Sequence, residues 1–252
     1  TAANRKFNQA IAVLDAVIYG IIEQRRSSAS AHNDLLDMLL NARDDSGDSM
    51  SDLQIRDEVL TIFSAGHETT SNLLSWTLYL LARHPTVLNK LRQELNAVLQ
   101  GGTPNAEQIQ QLVYTRAVLN ESLRLRPPAA VMMRKVSKNI ELDGYSLKAG
   151  RIAIFSIYNL HHHPEFWPQP EQFDPERFLN NESRRFSHMP FGAGERICIG
   201  SHFAMLESQL LLSMIVQHFD LQLLNNVEAD IEMAVALRPK GGIPVLIYPR
   251  QA

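Results

Sequence analysis

The sequence holds a single cysteine, Cys198. No disulfide can form within the chain, which favours a reducing compartment and leaves one thiol free for chemistry. It also lacks any run of the roughly 20 apolar residues needed to cross a bilayer, and its first residues show neither a charged leader nor a cleavage site. A cytoplasmic location is the expectation. Charge of one sign is not in excess: 24 Lys and Arg against 27 Asp and Glu leave a formal net charge of -3, without long acidic or basic blocks. That balance offers no footprint for a phosphate backbone or an anionic membrane surface, and excludes nucleic acid as an expected partner. There is no internal repeat and no low-complexity tract. What is present is apolar bulk, 45% of 252 residues, enough for a sizeable core. The chain starts at Thr1 inside an amphipathic helical pattern, so an upstream segment is expected, and any membrane anchor would belong to it.

Residues Phe7, Ile11, Leu14, Ile18 and Ile21 recur at helical spacing and predict a long surface helix ending near the polar run 25–30. A shorter helix is expected over 34–43, stopped by the loop Asp44-Asp45-Ser46-Gly47-Asp48. Ser51, followed three residues later by Gln54, is a capping-box signature for a helix over 52–83. At 1.5 Å per residue it would extend roughly 48 Å. His84-Pro85 breaks the pattern before a helix that runs to about Gln100 and stops at Gly101-Gly102. Another spans 113–125 and ends at Pro127-Pro128. Short β-prone runs follow at 131–136 and 152–158, with a turn at Asp143-Gly144 between them. The stretch 163–191 carries five prolines and reads as a long ordered loop. A helix over 202–219 and short strands close the chain.

The sharpest segment is Phe191-Gly192-Ala193-Gly194-Glu195-Arg196-Ile197-Cys198-Ile199-Gly200, a glycine-spaced loop that delivers a thiol just before a helix. Glycines let a backbone turn sharply and approach a flat ligand closely. The helix N-terminus beyond Cys198 favours the thiolate, and Arg196 is placed to pair with a carboxylate on the same ligand. Taken alone, a cysteine is more often a small buried hydrophobe; the surrounding pattern reverses that. The segment resembles the haem loop of the cytochrome P-450 family, F-x-x-G-x-R-x-C-x-G, with every specified position matched.

That resemblance implies that Cys198 is the axial ligand of a haem iron and that Phe191, Gly192, Gly194, Arg196 and Gly200 cradle the cofactor. A thiolate on haem iron donates electron density that promotes O–O cleavage. A second segment, Ala65-Gly66-His67-Glu68-Thr69-Thr70, lies in the long helix although glycine and paired threonines disfavour helix there. It resembles the family's oxygen-binding groove. Ala65 and Gly66 would open space above the haem, Thr69 would stabilise the iron-bound peroxide and Glu68 would pass in protons. The bland alternative has Thr69 bonding back to a carbonyl and Glu68 on a solvated face. A zinc-protease reading of His67-Glu68 needs a second histidine where Ser71 stands.

Glu121 and Arg124, three apart on one helix face, usually mark a solvated pair. The resemblance instead places them with Arg177 of Pro175-Glu176-Arg177-Phe178 in a buried structural triad. It also makes Arg134, in the first β run, a partner for a haem propionate, the alternative being an exposed strand arginine. The tract His161-His162-His163 is a weak metal candidate, since adjacent strand residues point in opposite directions. His162 and His163 also depart from the His-Arg-Asp common in the family.

The expected fold is mainly α with small β-sheets, the C-terminal part of the family's domain, with 1–252 one partial domain. The expected function is insertion of one atom of dioxygen into an apolar organic substrate at haem b. Electrons would come indirectly from NAD(P)H through a ferredoxin, a flavoprotein reductase or both, with Arg184 and Arg185 helping to dock the partner. The apolar run Ala129 to Met133 hints at a lipid, terpene or similar substrate. Without the family's N-terminal segment, this polypeptide is expected to hold haem poorly. A non-catalytic haem protein and a cysteine-nucleophile hydrolase are the other classes, the second lacking the usual base context around Cys198.

Overall fold

A computed structural model of the chain describes residues 1–28, 32–179, 186–224 and 228–250. Among the described residues the fold is mainly helical, with four small antiparallel strand pairs. Its contacts form two compact units, Thr1–His67 and Glu68–Ala252.

In the first unit, helix α1 (Ala2–Ser27) starts with the Thr1 hydroxyl capping the Asn4 amide. The predicted stripe is only partly covered. Of its members Ile18 is buried, together with Ile22 and Ile55 against Leu36, Leu39, Leu40 and Met50, whereas Phe7 is 65% and Ile21 47% exposed; the buried residue at that turn is Ile22. Helix α2 (Leu35–Asn41) is capped by Asp34, whose carboxylate also pairs with Arg25. Helix α3 (Asp52–Arg83) begins on the expected capping box: the Ser51 amide donates to Gln54 Oε1 at 2.8 Å, and the Gln54 amide donates to Ser51 Oγ at 3.3 Å. It is helical throughout its glycine-threonine stretch, and a Cβ added to Gly66 would meet nothing within 4 Å.

In the second unit, α3 contributes Leu73, Trp76, Leu80 and Leu81 to a core shared with helices α4 (Pro85–Leu99), α6 (Val113–Leu125) and α8 (Ser201–His218). Helix α4 buries Leu91, Leu95 and Leu99, spaced by four on one face. It ends on Gln100 at φ 51° and Gly101 at φ 82°. The short helix α5 (Ala106–Gln111) was not expected from the sequence, although Asn105 and Gln108 form a full capping box. Helix α6 is buried along most of its length. The carboxylate of Glu94, on α4, satisfies its first amides, accepting from Tyr114 at 2.6 Å and Thr115 at 2.8 Å. A negative charge at a helix N-terminus suits both the free N–H groups and the dipole.

Strands β1 (Val131–Lys135) and β4 (Ile152–Ser156) pair with Met132 opposite Phe155 and Arg134 opposite Ala153. Between them β2 (Ile140–Leu142) and β3 (Tyr145–Leu147) form a hairpin, with Asp143 and Gly144 both at positive φ as a two-residue primed turn requires. The β run expected over 152–158 is cut short. Ser156 Oγ accepts the Asn159 amide and starts helix α7 (Ile157–His161), so His161 ends a helix and does not lie on a strand. Strands β5 (Phe219–Leu223) and β8 (Val245–Pro249) pair after α8, as do β6 (Ile231–Met233) and β7 (Leu237–Pro239). Among the described residues no helix is long and apolar enough to cross a membrane.

Candidate functional site

The site is built outward from α6. Glu121 and Arg124 are both 0% exposed, so the pair is fully buried rather than solvated. Arg124 Nε and Nη2 donate to the two Glu121 carboxylate oxygens at 2.7 and 2.8 Å. Its remaining protons go to the carbonyls of His161 (2.8 Å), Pro170 (2.7 Å) and Gln172 (3.1 Å). All five guanidinium donors are therefore used, and the cation lies 5.2 Å from the centre of the Trp167 ring. Burying a charge is costly unless it is paired and hydrogen-bonded; this one is both. Glu121 also accepts the Asp174 amide at 3.0 Å and faces Arg177 Nε at 3.5 Å. Burial pushes the Glu121 carboxyl up, and the Arg124 guanidinium opposes the shift. The residues of Glu-x-x-Arg and Pro-Glu-Arg-Phe thus meet in one cluster.

From that cluster the chain passes to the cysteine loop through two histidines that sequence reasoning did not single out for this role. His161 is fully buried, and its Nε2 accepts the Met189 amide at 2.9 Å. Its ring stacks on His188 at 5.1 Å, and His188 lies 4.8 Å from Phe178. Burial, then the neighbouring His188, pulls His161 down to about 3, so the ring is neutral. A metal reading of the tract is not supported by a ligand set: among the described residues no group of three or more His, Cys, Asp or Glu side chains could hold an ion.

The loop itself closes on the Cys198 amide, which donates to the Phe191 carbonyl at 2.9 Å, while the Cys198 carbonyl accepts from Ser201 at 3.4 Å. Both backbone polar groups are used and the side chain remains an exposed free thiol. Gly192 sits at φ +76°, and a Cβ there would lie 3.2 Å from Met132 Sδ, so both backbone shape and space call for glycine. Gly194, at φ +75°, opens a 3-10 turn, Gly194–Arg196, that leaves Arg196 exposed. Gly200 precedes α8 as its N-cap, without a side-chain cap. Beside the thiol, Ile197 is 55% and Ile199 95% exposed.

Arg134 is two residues from Met132 on β1, hence on the same face, and that face meets Gly192. Arg134 is exposed, and Nη1 donates to its neighbour's carbonyl, Met133, at 2.9 Å. Ala65 and Gly66 are exposed in the first unit; Glu68 and Thr69 are half-buried at the start of the second. Arg184 and Arg185 lie outside the described residues.

The structure is that of a helical protein with an exposed thiol on a glycine loop at a helix start and a buried acid-arginine cluster. Comparison with known proteins makes the class specific. The family model for cytochrome P-450 matches residues 1–245. Cyclooctat-9-en-7-ol 5-monooxygenase of Streptomyces melanosporofaciens is 38% identical over 226 residues, 88% of this chain and 49% of that protein. Taurochenodeoxycholic 6 alpha-hydroxylase of Sus scrofa is 43% identical over 203 residues, 79% of this chain and 40% of its own. Cytokinin hydroxylase of Arabidopsis thaliana is 35% identical over 255 residues, 98% and 50% respectively. The chain belongs to the cytochrome P-450 family, and it spans about half the length of these relatives.

Proposed function

We propose that the chain is the cysteine-bearing part of a haem-thiolate monooxygenase that inserts one atom of dioxygen into an apolar organic substrate and reduces the other to water. The observation that carries this reading is the exposed Cys198 side chain on a loop whose backbone is fixed at Phe191 and Ser201. The surroundings suit haem b. The exposed Ile197 and Ile199 supply apolar surface beside the thiol, and Arg196 and Arg134 offer cations for the two carboxylates of the porphyrin. Gly192 has no Cβ, which lets the Met132 side chain pack against the loop backbone at its positive φ. When bound, haem supplies the centre at which dioxygen is reduced and split, with thiolate ligation adding the electron density that favours O–O cleavage.

The chain's own residues take the remaining roles. Cys198 Sγ is the ligand atom. Glu68 carries protons inward at its carboxylate, and Thr69 holds a water at its hydroxyl, both on α3. Electrons come from NAD(P)H by way of a ferredoxin, a flavoprotein reductase or both. The segment from Ala129 to Met133 borders the substrate: Met132 packs at Gly192, and Val131 and Met133 are exposed apolar side chains.

The test is the absorption spectrum of the reduced, carbon-monoxide-bound form of the haem-loaded full-length protein, beside its Cys198→Ser variant. A thiolate-type Soret band that disappears on substitution is expected; a band that survives rejects Cys198 as ligand. Product formation that persists after Glu68→Ala and Thr69→Ala would instead favour a different mechanism, and a haem-loaded wild type that forms no product would favour a non-catalytic haem protein.

A further inference from the structure

The triad around Arg124 and the cysteine loop are separate in the sequence, and one residue, His161, links them, by its carbonyl on one side and its ring on the other. Arg124 Nη1 donates to the His161 carbonyl at 2.8 Å, and the Nε2 of the same residue accepts the Met189 amide at 2.9 Å. Met189 in turn accepts the Gly192 amide at its carbonyl, 3.1 Å away, and Phe191 accepts that of Cys198 at 2.9 Å. An unbroken sequence of hydrogen bonds and short chain segments thus runs from Glu121 to the cysteine. Helix α7 aims the ring: Ser156 starts it, and His161 is its last residue. The His188 ring, stacked at 5.1 Å and edged by Trp167 at 6.1 Å, holds the imidazole plane.

We propose that His161 is a positioning residue for the cysteine loop, its Nε2 fixing the Met189 amide and so the direction in which 191–198 leaves the Arg124 cluster. The proposal rests on the haem-thiolate reading for its functional meaning, though the anchoring itself does not. Only an acceptor at the reach of Nε2 serves. Glutamine places an amide oxygen at that reach, asparagine falls short of it, and leucine fills the volume without accepting. A solvent-exposed loop gains little from burial of its own residues, so loss of one anchoring bond should be felt locally.

The experiment compares His161→Leu and His161→Gln by amide hydrogen exchange on the chain with and without added haem, and by the reduced carbon-monoxide spectrum of the haem-loaded full-length protein. His161→Leu should speed exchange of peptides containing Met189 about tenfold while peptides from α4 stay unchanged. It should also shift absorption from the thiolate-type band to the band of haem without thiolate. His161→Gln should restore both. Unchanged exchange at Met189, an equal rise in α4, or a glutamine variant that behaves like leucine overturns the proposal. If His161→Leu does not fold, His161→Asn takes its place with the same outcomes. A wild-type protein that shows the exchange pattern but no thiolate band sinks the haem reading and leaves the anchor supported.

Discussion

Helix α6 and the cysteine loop solve opposite problems. On α6, two full charges sit at 0% exposure, with all five protons of Arg124 assigned to acceptors. On the loop, the free thiol and its neighbour Ile199 are exposed, and the order comes from backbone bonds and glycine conformations. Buried ion clusters add little net stability compared with apolar packing, but removing one partner leaves a stranded charge and is strongly destabilising. Such a cluster therefore specifies one arrangement: the carbonyls of His161, Pro170 and Gln172 have to converge for Arg124 to be satisfied. The loop can stay exposed because its foundations are held elsewhere.

The comparison can be broken most severely at Arg124. Arg124→Ala should cost about 3–5 kcal/mol, since Glu121 would be left buried without its bidentate partner; urea denaturation reads this, and a loss under about 1 kcal/mol would refute the foundation role. Lysine cannot supply the five-donor fork, so Arg124→Lys should recover only part of the loss.

Acid should loosen the same region. His161 is held at about 3 in the folded chain, against about 6.5 unfolded. Between those values the unfolded state binds more protons, so stability is complete above the unfolded pKa and falls as pH drops toward the folded one. Going from about pH 7 to about pH 5 should remove about 2 kcal/mol for this group. The difference in denaturation midpoint between wild type and His161→Gln at the two pH values isolates it; parallel behaviour of the two proteins would show that His161 does not titrate as described.

A smaller effect is expected at the start of α6. Glu94→Ala removes the acceptor of the Tyr114 and Thr115 amides, a cap worth about 1–2 kcal/mol. Thermal unfolding should show the change, and an unshifted midpoint would mean that water replaces the carboxylate. The smallest effect belongs to the loop. Cys198→Ser should leave the stability of the haem-free chain within about 0.5 kcal/mol of wild type, because the exposed thiol touches little. A large loss on denaturation would contradict the picture of an open loop on a locked base.

Local signals carried much of this architecture. The Ser51 and Gln54 cap, the His84-Pro85 break, the paired prolines after Leu125 and the Asp143-Gly144 turn each set an element end through near-neighbour chemistry, and the structure places ends there. Asn105 and Gln108 carry the same kind of signal for α5, though only six residues of helix follow it. The run 152–158 misled because apolar periodicity does not separate a strand from a short buried helix; the Ser156 cap decides it. The histidine tract is less legible still, since a buried neutral imidazole and an exposed one have the same local sequence.

By itself, then, the sequence determined the helical frame, the glycine loop around Cys198 and the family, because caps, turns and contiguous motifs act over a few residues. Only the tertiary structure decided that Glu121 and Arg124 are buried, that carbonyls some 40 residues on close around that arginine, and that His161 joins it to the loop. Those facts depend on which distant backbone groups arrive at one point, and desolvation, the term that gives them their energy, exists only once the chain has packed.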